Sequence, residues 1–107
     1  MDRLKKKRDF NRVYNRGKSL ATGNLVLYYF PNNLSENRVG FSISKKIGKA
    51  VVRNKIRRRL KEILRIKKNI KKSYDFIIIA RKPVTGLDYT GMERDIDKLF
   101  RRAGLIK

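Results

Sequence analysis

Cysteine, histidine and tryptophan are absent from these 107 residues, proline occurs twice, and acidic residues number nine. Without cysteine there are no disulfides and no thiolate chemistry. Without histidine, a hydrolase loses the side chain that most often moves protons near neutral pH. A metal-dependent nuclease would then need converging carboxylates, and the only dense acidic group is Glu93, Asp95 and Asp97. The group lies in a stretch of helical spacing, where Glu93 and Asp97 share a face and Asp95 does not. Solvated helix surface accounts for them better than a metal site. The expectation is a chain with no catalytic centre of its own.

Long apolar runs are also missing. Purely apolar stretches such as Phe76 to Ala80 are far short of the roughly 20 residues that span a bilayer as a helix. The charged segment from Asp2 to Asp9 after Met1 lacks the form of a secretion signal. A cytoplasmic protein without membrane partners is expected.

What is abundant is positive charge. Thirty Lys and Arg against nine Asp and Glu give a formal net charge of +21. A compact chain of that charge repels itself, and a polyphosphate backbone is the commonest partner that relieves the repulsion. A membrane surface would do so too, but the apolar residues, 40% of the chain, come in short patterned runs and form no lipid-facing stripe. Nucleic acid is the favoured partner. The length suits one domain with one modest core.

Residues 1–8 carry Arg3, Lys5, Lys6, Lys7 and Arg8 and read as a flexible basic arm. Phe10, Val13 and Tyr14 recur at i, i+3 and i+4, which predicts a short helix ended by Gly17 in the left-handed conformation. No strong capping residue precedes Asp9, so its start is expected to fray. Leu20 to Phe30 predicts a short strand and then a longer one, with Gly23 and Asn24 between them. Arg38 to Lys45 predicts a third strand, with Val39, Phe41 and Ile43 on one face and Gly40, Ser42 and Ser44 on the other, which is left open to bind something.

Val52 to about Lys68 has a helical period, with Val52, Ile56, Leu60, Ile63, Leu64 and Ile66 in one arc. Tyr74 to Ala80 predicts a central strand, stopped by Pro83. Met92, Ile96, Leu99, Phe100 and Ala103 predict a last helix, capped by Asp88 or Thr90 and ended by Gly104. The order α-β-β-β-α-β-α predicts an α+β fold, a single-domain two-layer sandwich.

Between Lys45 and Lys72 stand fourteen Lys or Arg and one acid, Glu62. Like charges at i and i+4, as in Arg57 with Lys61 and Lys61 with Arg65, weaken a helix unless a partner neutralises them. RNA binding therefore explains this segment better than a solvated face. A second feature is aromatic: Phe10 and Tyr14 on the first helix, and Tyr28 on the strand face opposite Leu25 and Leu27. Rings on an open face can stack on unpaired bases, although aromatics on a short helix more often pack a core. Arg81, Lys82 and Pro83 at a strand end read as ordinary loop polarity.

The segment Arg38-Val39-Gly40-Phe41-Ser42-Ile43-Ser44-Lys45-Lys46-Ile47-Gly48-Lys49-Ala50-Val51-Val52-Arg53-Asn54, running into a basic helix, closely resembles the signature of the bacterial ribonuclease P protein family. Asp9, Phe10, Tyr14 and Gly17 resemble its opening helix, and Ile77 to Pro83 its last strand and exit. The resemblance implies a ribosomal-protein-like fold with a left-handed crossover, against the usual rule. It implies a subunit of an endoribonuclease that matures the 5′ end of tRNA, with one protein per catalytic RNA and the Mg²⁺ ions held by that RNA. The partners implied are the catalytic RNA subunit and precursor tRNA. Carried over position by position, the RNA-subunit contacts fall on Lys45, Lys46, Arg53, Asn54, Lys55, Arg57, Arg58, Lys61 and Arg65. Relatives more often have Arg where Lys55 stands, so a phosphate contact is implied there and not a two-pronged one. The leader-binding cleft falls on Phe10, Tyr14, Tyr28 and Ser42, with Lys82 at the rim. A ribosomal protein or RNA chaperone would share the charge and layering but not the central segment.

Overall fold

The computed structural model describes all residues from Met1 to Lys107. Its elements are β1 (Asp2–Arg3), α1 (Lys7–Arg16), β2 (Lys18–Ala21), β3 (Leu25–Pro31), β4 (Arg38–Ser42), α2 (Ala50–Ile66), β5 (Tyr74–Ala80) and α3 (Tyr89–Arg102), with a 3₁₀ turn at Lys82–Gly86. The strands form one sheet in the order β1-β4-β5-β3-β2. β5, apolar on both faces apart from Asp75, lies at its centre, parallel to β4 and antiparallel to β3. α2 makes the crossover between β4 and β5.

Strand alternation divides the side chains between two faces. Leu25 and Leu27 of β3, Val39 of β4, and Phe76 and Ile78 of β5 pack with Ile56, Leu60, Ile63 and Leu64 of α2 and with Met92, Ile96, Leu99 and Phe100 of α3. These make the main core, the sheet-and-helix sandwich of the α+β expectation. The stripes named for α2 and α3 supply it, except that Val52 and Ile66 are 37% and 46% exposed. They sit near the two ends of α2. α3 is capped as anticipated: the Asp88 carboxylate accepts from the Gly91 N–H at 2.8 Å, worth about 1 kcal/mol. Gly104 follows it at φ +71.

α1 lies on the opposite face, as a small extra layer. Val13 packs there with Leu4 and Ile77, and Phe10, Tyr28, Phe30 and Ile79 surround them. The expected frayed start finds no side-chain cap at Lys6, but the first turn is held otherwise. Asp9 is buried, accepting from Arg38 at 3.4 Å and ion-paired with Arg12 at 3.5 Å.

Two local expectations are corrected. Gly17 is not left-handed; it is extended, at φ −75. Glycine is required because a Cβ would lie 2.5 Å from the Val13 carbonyl oxygen and 2.7 Å from that of Tyr29, where α1 turns tightly against β3. Residues 1–8 do not form a free arm either. Asp2 and Arg3 pair in parallel with Arg38 and Val39, the Leu4 N–H donates to the Val39 carbonyl at 2.9 Å, and the Leu4 side chain is buried. Helix α1 begins at Lys7, so only Lys5 and Lys6 separate Leu4 from the helix.

Candidate RNA interface

The β4 strand ends at Ser42, earlier than its alternation suggests, because Ile43 and Ile47 turn into the core and hold the loop down. The Ile47 N–H closes that turn on the Ser44 carbonyl at 3.0 Å, and Lys45 and Lys46 stand exposed on it. The loop thus delivers a pair of lysines shortly before the start of α2.

Along α2, residues four apart share a line. Arg53, Arg57, Lys61 and Arg65 occupy one line, and Asn54 and Arg58 the next, which Glu62 continues. The two lines form a continuous basic band beside the buried stripe. Lys55 lies at its far margin, near Glu62. The Arg57 guanidinium donates to the Asn54 side-chain oxygen at 3.0 Å. Arg65 is already engaged: it donates twice to Glu62, at 3.0 and 2.6 Å, and these bonds hold the Glu62 carboxyl below its ordinary range. The other members of the band have no acidic partner. Arg53 is partly buried, with its Nε enclosed and without an acceptor.

The second group assembles on the α1 face of the sheet. Tyr14 meets Tyr28 edge to face, with ring centroids 5.0 Å apart, and Phe10 lies 6.5 Å from Tyr14. Burial pushes the Tyr14 phenol above its usual value, partly opposed by the neighbouring Ser42 side chain. Four of the five expected leader residues therefore share one cleft between α1 and the sheet. Phe10 sits deeper than a free platform would, because Gly40 gives it a seat; a Cβ there would lie 2.3 Å from its ring. Lys82, the fifth, follows β5 at the start of the 3₁₀ turn. Its ammonium donates to the Ile47 carbonyl at 3.1 Å, which joins it to the loop before α2.

The acidic residues on α3 do not converge. Asp95 accepts from Thr22 and Asn24, at 2.6 and 3.1 Å. Asp97 accepts from Lys67 and Arg101 at 2.6 and 2.7 Å. No three His, Cys, Asp or Glu side chains stand close enough to hold a metal ion. No helix is long and apolar enough to cross a membrane.

The residues that sequence patterning missed are Arg38, Asp9 and Asp75, which tie α1 to the sheet beneath the cleft. A lone acid in an otherwise apolar central strand was the available signal for Asp75. Leu4, the one large apolar residue inside a basic segment, was the signal for β1.

Comparison with known proteins bears on the chain as a whole. Residues 1–104 match the family model described as Ribonuclease P. The chain is 42% identical over 106 residues to the ribonuclease P protein component of Caldanaerobacter subterraneus subsp. tengcongensis, covering 98% of this chain and 91% of the relative. The solved RNase P protein of Staphylococcus aureus superposes with a TM-score of 0.92 at 33% identity, over 100% of this chain and 99% of that one. That of Thermotoga maritima gives 0.86 at 32% identity, over 95% and 97%. A family model spanning the fold, both basic and aromatic surfaces included, together with these full-length likenesses, shows that the chain belongs to the ribonuclease P protein family.

Proposed function

We propose that the chain uses two surfaces within ribonuclease P: the α2 band docks the catalytic RNA subunit, and the α1–sheet cleft holds the 5′ leader of precursor tRNA. The observation that carries this is the asymmetry of α2, whose basic band has only Glu62 to oppose it. A helix bearing that repulsion gains stability when phosphates replace solvent beside it, and the released counterions favour the complex. Lys45 and Lys46 extend the band, and Lys82, anchored on the same loop, is assigned to its edge and not to the leader cleft.

The cleft suits an unpaired strand. Tyr14, Tyr28 and Phe10 offer ring faces and edges without a fixed donor and acceptor pattern, so bases can stack regardless of sequence. The Ser42 and Tyr14 hydroxyls add adaptable hydrogen bonds.

Catalysis is assigned to the RNA subunit, with the Mg²⁺ ions held on its phosphates and one protein per RNA. Support comes from the chemistry of the chain: no histidine, no cysteine and separately engaged carboxylates. The protein brings two polyanions together and positions the leader. Isolating the protein with its bound RNA from cells and sequencing that RNA tests the assignment. One structured RNA together with tRNA precursors is the expected outcome, and ribosomal RNA in their place would overturn it.

A further inference from the structure

At the outer edge of β4 the sheet is only partly covered. The Leu4 N–H makes the last backbone bond from the N-terminal segment to this strand, on the Val39 carbonyl. In a parallel ladder alternate residues face the same neighbour, so Phe41 is the next residue of β4 to aim its N–H and C=O outward, and nothing in the N-terminal segment meets them. A groove of about 830 Å³ opens there, within the range of small-molecule sites. Its floor is apolar, from Val39, Phe41 and Leu64, and Phe10 closes one end. The walls are basic: Arg3 and Lys5 on one side, Arg57 and Lys61 on the other. Arg65, engaged by Glu62, and one acid, Asp2, also line it.

We propose that this groove is a third RNA subsite, which takes an unpaired nucleotide with its base on the apolar floor and its phosphates between the basic walls. The inference rests on the RNA-binding function proposed above and adds a contact that neither α2 nor the aromatic cleft supplies. Three features select the ligand. A duplex presents phosphates but no free base face, whereas an unpaired nucleotide presents both. The outward N–H and C=O of Phe41 can pair with a base edge. A second copy of the chain, which could add a strand to the same edge, would bring another +21 of charge against walls of the same sign. The position also matters. Phe10 belongs to the leader cleft as well as to the groove, and Arg57 belongs to the α2 band, so a strand lying here joins the two surfaces. The nucleotide can come from the leader or from an unpaired segment of the RNA subunit.

The test places a photocrosslinking residue at position 3, and separately at position 58, in protein reassembled with the RNA subunit and differently labelled precursor tRNA. Crosslinks from position 3 to unpaired nucleotides are expected, and the label shows which RNA supplies them. Crosslinks only to base-paired nucleotides, or only to protein, would overturn the subsite. So would silence at position 3 with strong RNA crosslinking at position 58, which leaves the function proposed for α2 standing. Silence at both positions would overturn that function itself. A second measurement uses Arg3→Gln with Lys5→Gln, against a control of equal charge change, Arg94→Gln with Lys98→Gln, two exposed residues of α3 outside the groove. The groove variant should flatten the slope of log affinity against log salt by about 1.4, at ~0.7 per single-strand phosphate neutralised. Equal flattening by the control would reduce the effect to general charge and sink the proposal.

Discussion

Arg38 donates from Nε and Nη2 to the two carboxylate oxygens of Asp75, at 2.8 and 2.7 Å, while its Nη1 lies 3.4 Å from Asp9. Arg38 and Asp75 are register partners on adjacent parallel strands, so the fork spans the sheet and leaves one nitrogen for the first turn of α1. Asp75 is almost wholly enclosed, and Asn32 supplies a further bond at 3.0 Å. The guanidinium is held still more firmly protonated by the hydrogen bond to Asp75.

Removing one partner of such a pair leaves a buried charge without solvent or counter-charge, at a cost of about 3–5 kcal/mol. Arg38→Ala should lower stability by that order in urea denaturation and loosen α1. Arg38→Lys should recover only part of the loss, since lysine keeps the charge but not the fork. A loss below about 1 kcal/mol would show that the pair behaves like a surface ion pair.

The proposed leader cleft makes different predictions for Tyr28 and for the seat of Phe10. Tyr28 lies on the α1 face and packs only partly, so Tyr28→Ala should weaken precursor tRNA binding by about 1–3 kcal/mol for each base that no longer stacks. Mature tRNA should bind as before. Gly40→Ala reaches the same cleft indirectly, because the new methyl would displace the Phe10 ring. It should cost stability of order 1–3 kcal/mol and also weaken the grip on the leader. Equal losses for both tRNAs in Tyr28→Ala would mean that the ring serves packing alone.

How much of this is legible in the sequence depends on whether a residue's role is periodic. Val39 and Ile43 declare their face by alternation, and Ile56, Leu60, Ile63 and Leu64 by helical spacing, and all lie in the main core. The same alternation places Tyr28 away from that core, where it meets Tyr14. Roles set by contacts between distant segments are not legible. Gly17 looks like a helix terminator, yet its requirement comes as much from the Tyr29 backbone, across the turn into the sheet, as from its own helix. Residues 1–8 look like a solvated arm because charge dominates them, yet one buried Leu4 and a two-residue pairing with β4 decide their course. The shared Phe10 wall depends on Gly40, which no spacing rule connects to it.

Acid should expose the α2–α3 link. Hydrogen bonds from Lys67 and then Arg101 hold the Asp97 carboxyl below its ordinary value of 3.8. A group whose folded value is depressed contributes stability that is complete above the unfolded value and is lost as pH falls through the folded one. Asp97→Asn should therefore lower Tm at neutral pH, and the gap to the parent should close below about pH 4. The effect will be small, because the side chain is 37% exposed. A gap that stays constant into strong acid would assign it to packing instead of charge.

Docking of the RNA subunit should read out in salt. Arg57→Glu with Arg58→Glu removes two members of the α2 band, and Arg57 gives up only its bond to Asn54. Affinity should fall, and the slope of log affinity against log salt should lessen by about 1 for each phosphate no longer neutralised. An unchanged slope in a variant that still folds would remove α2 from the interface.

The division of labour between protein and RNA can be settled on one gel. Hydrolysis of a phosphodiester needs an activated water and stabilisation of the developing charge, and Mg²⁺ on RNA phosphates can supply both. Two polyanions must nevertheless be brought together, and their repulsion is greatest when divalent ions are scarce. A chain of charge +21 lying beside both would lessen that repulsion, with the leader held in the aromatic cleft as proposed above. With 5′-labelled precursor tRNA across a Mg²⁺ series, the protein alone should cleave at no concentration, and the RNA alone slowly and only at high Mg²⁺. The two together should cleave efficiently at low Mg²⁺. Specific 5′ cleavage by RNase-free protein alone would overturn the assignment of catalysis to the RNA, and would place the chemistry on side chains such as Asp95 and Asp97, which here are engaged by Thr22, Asn24, Lys67 and Arg101.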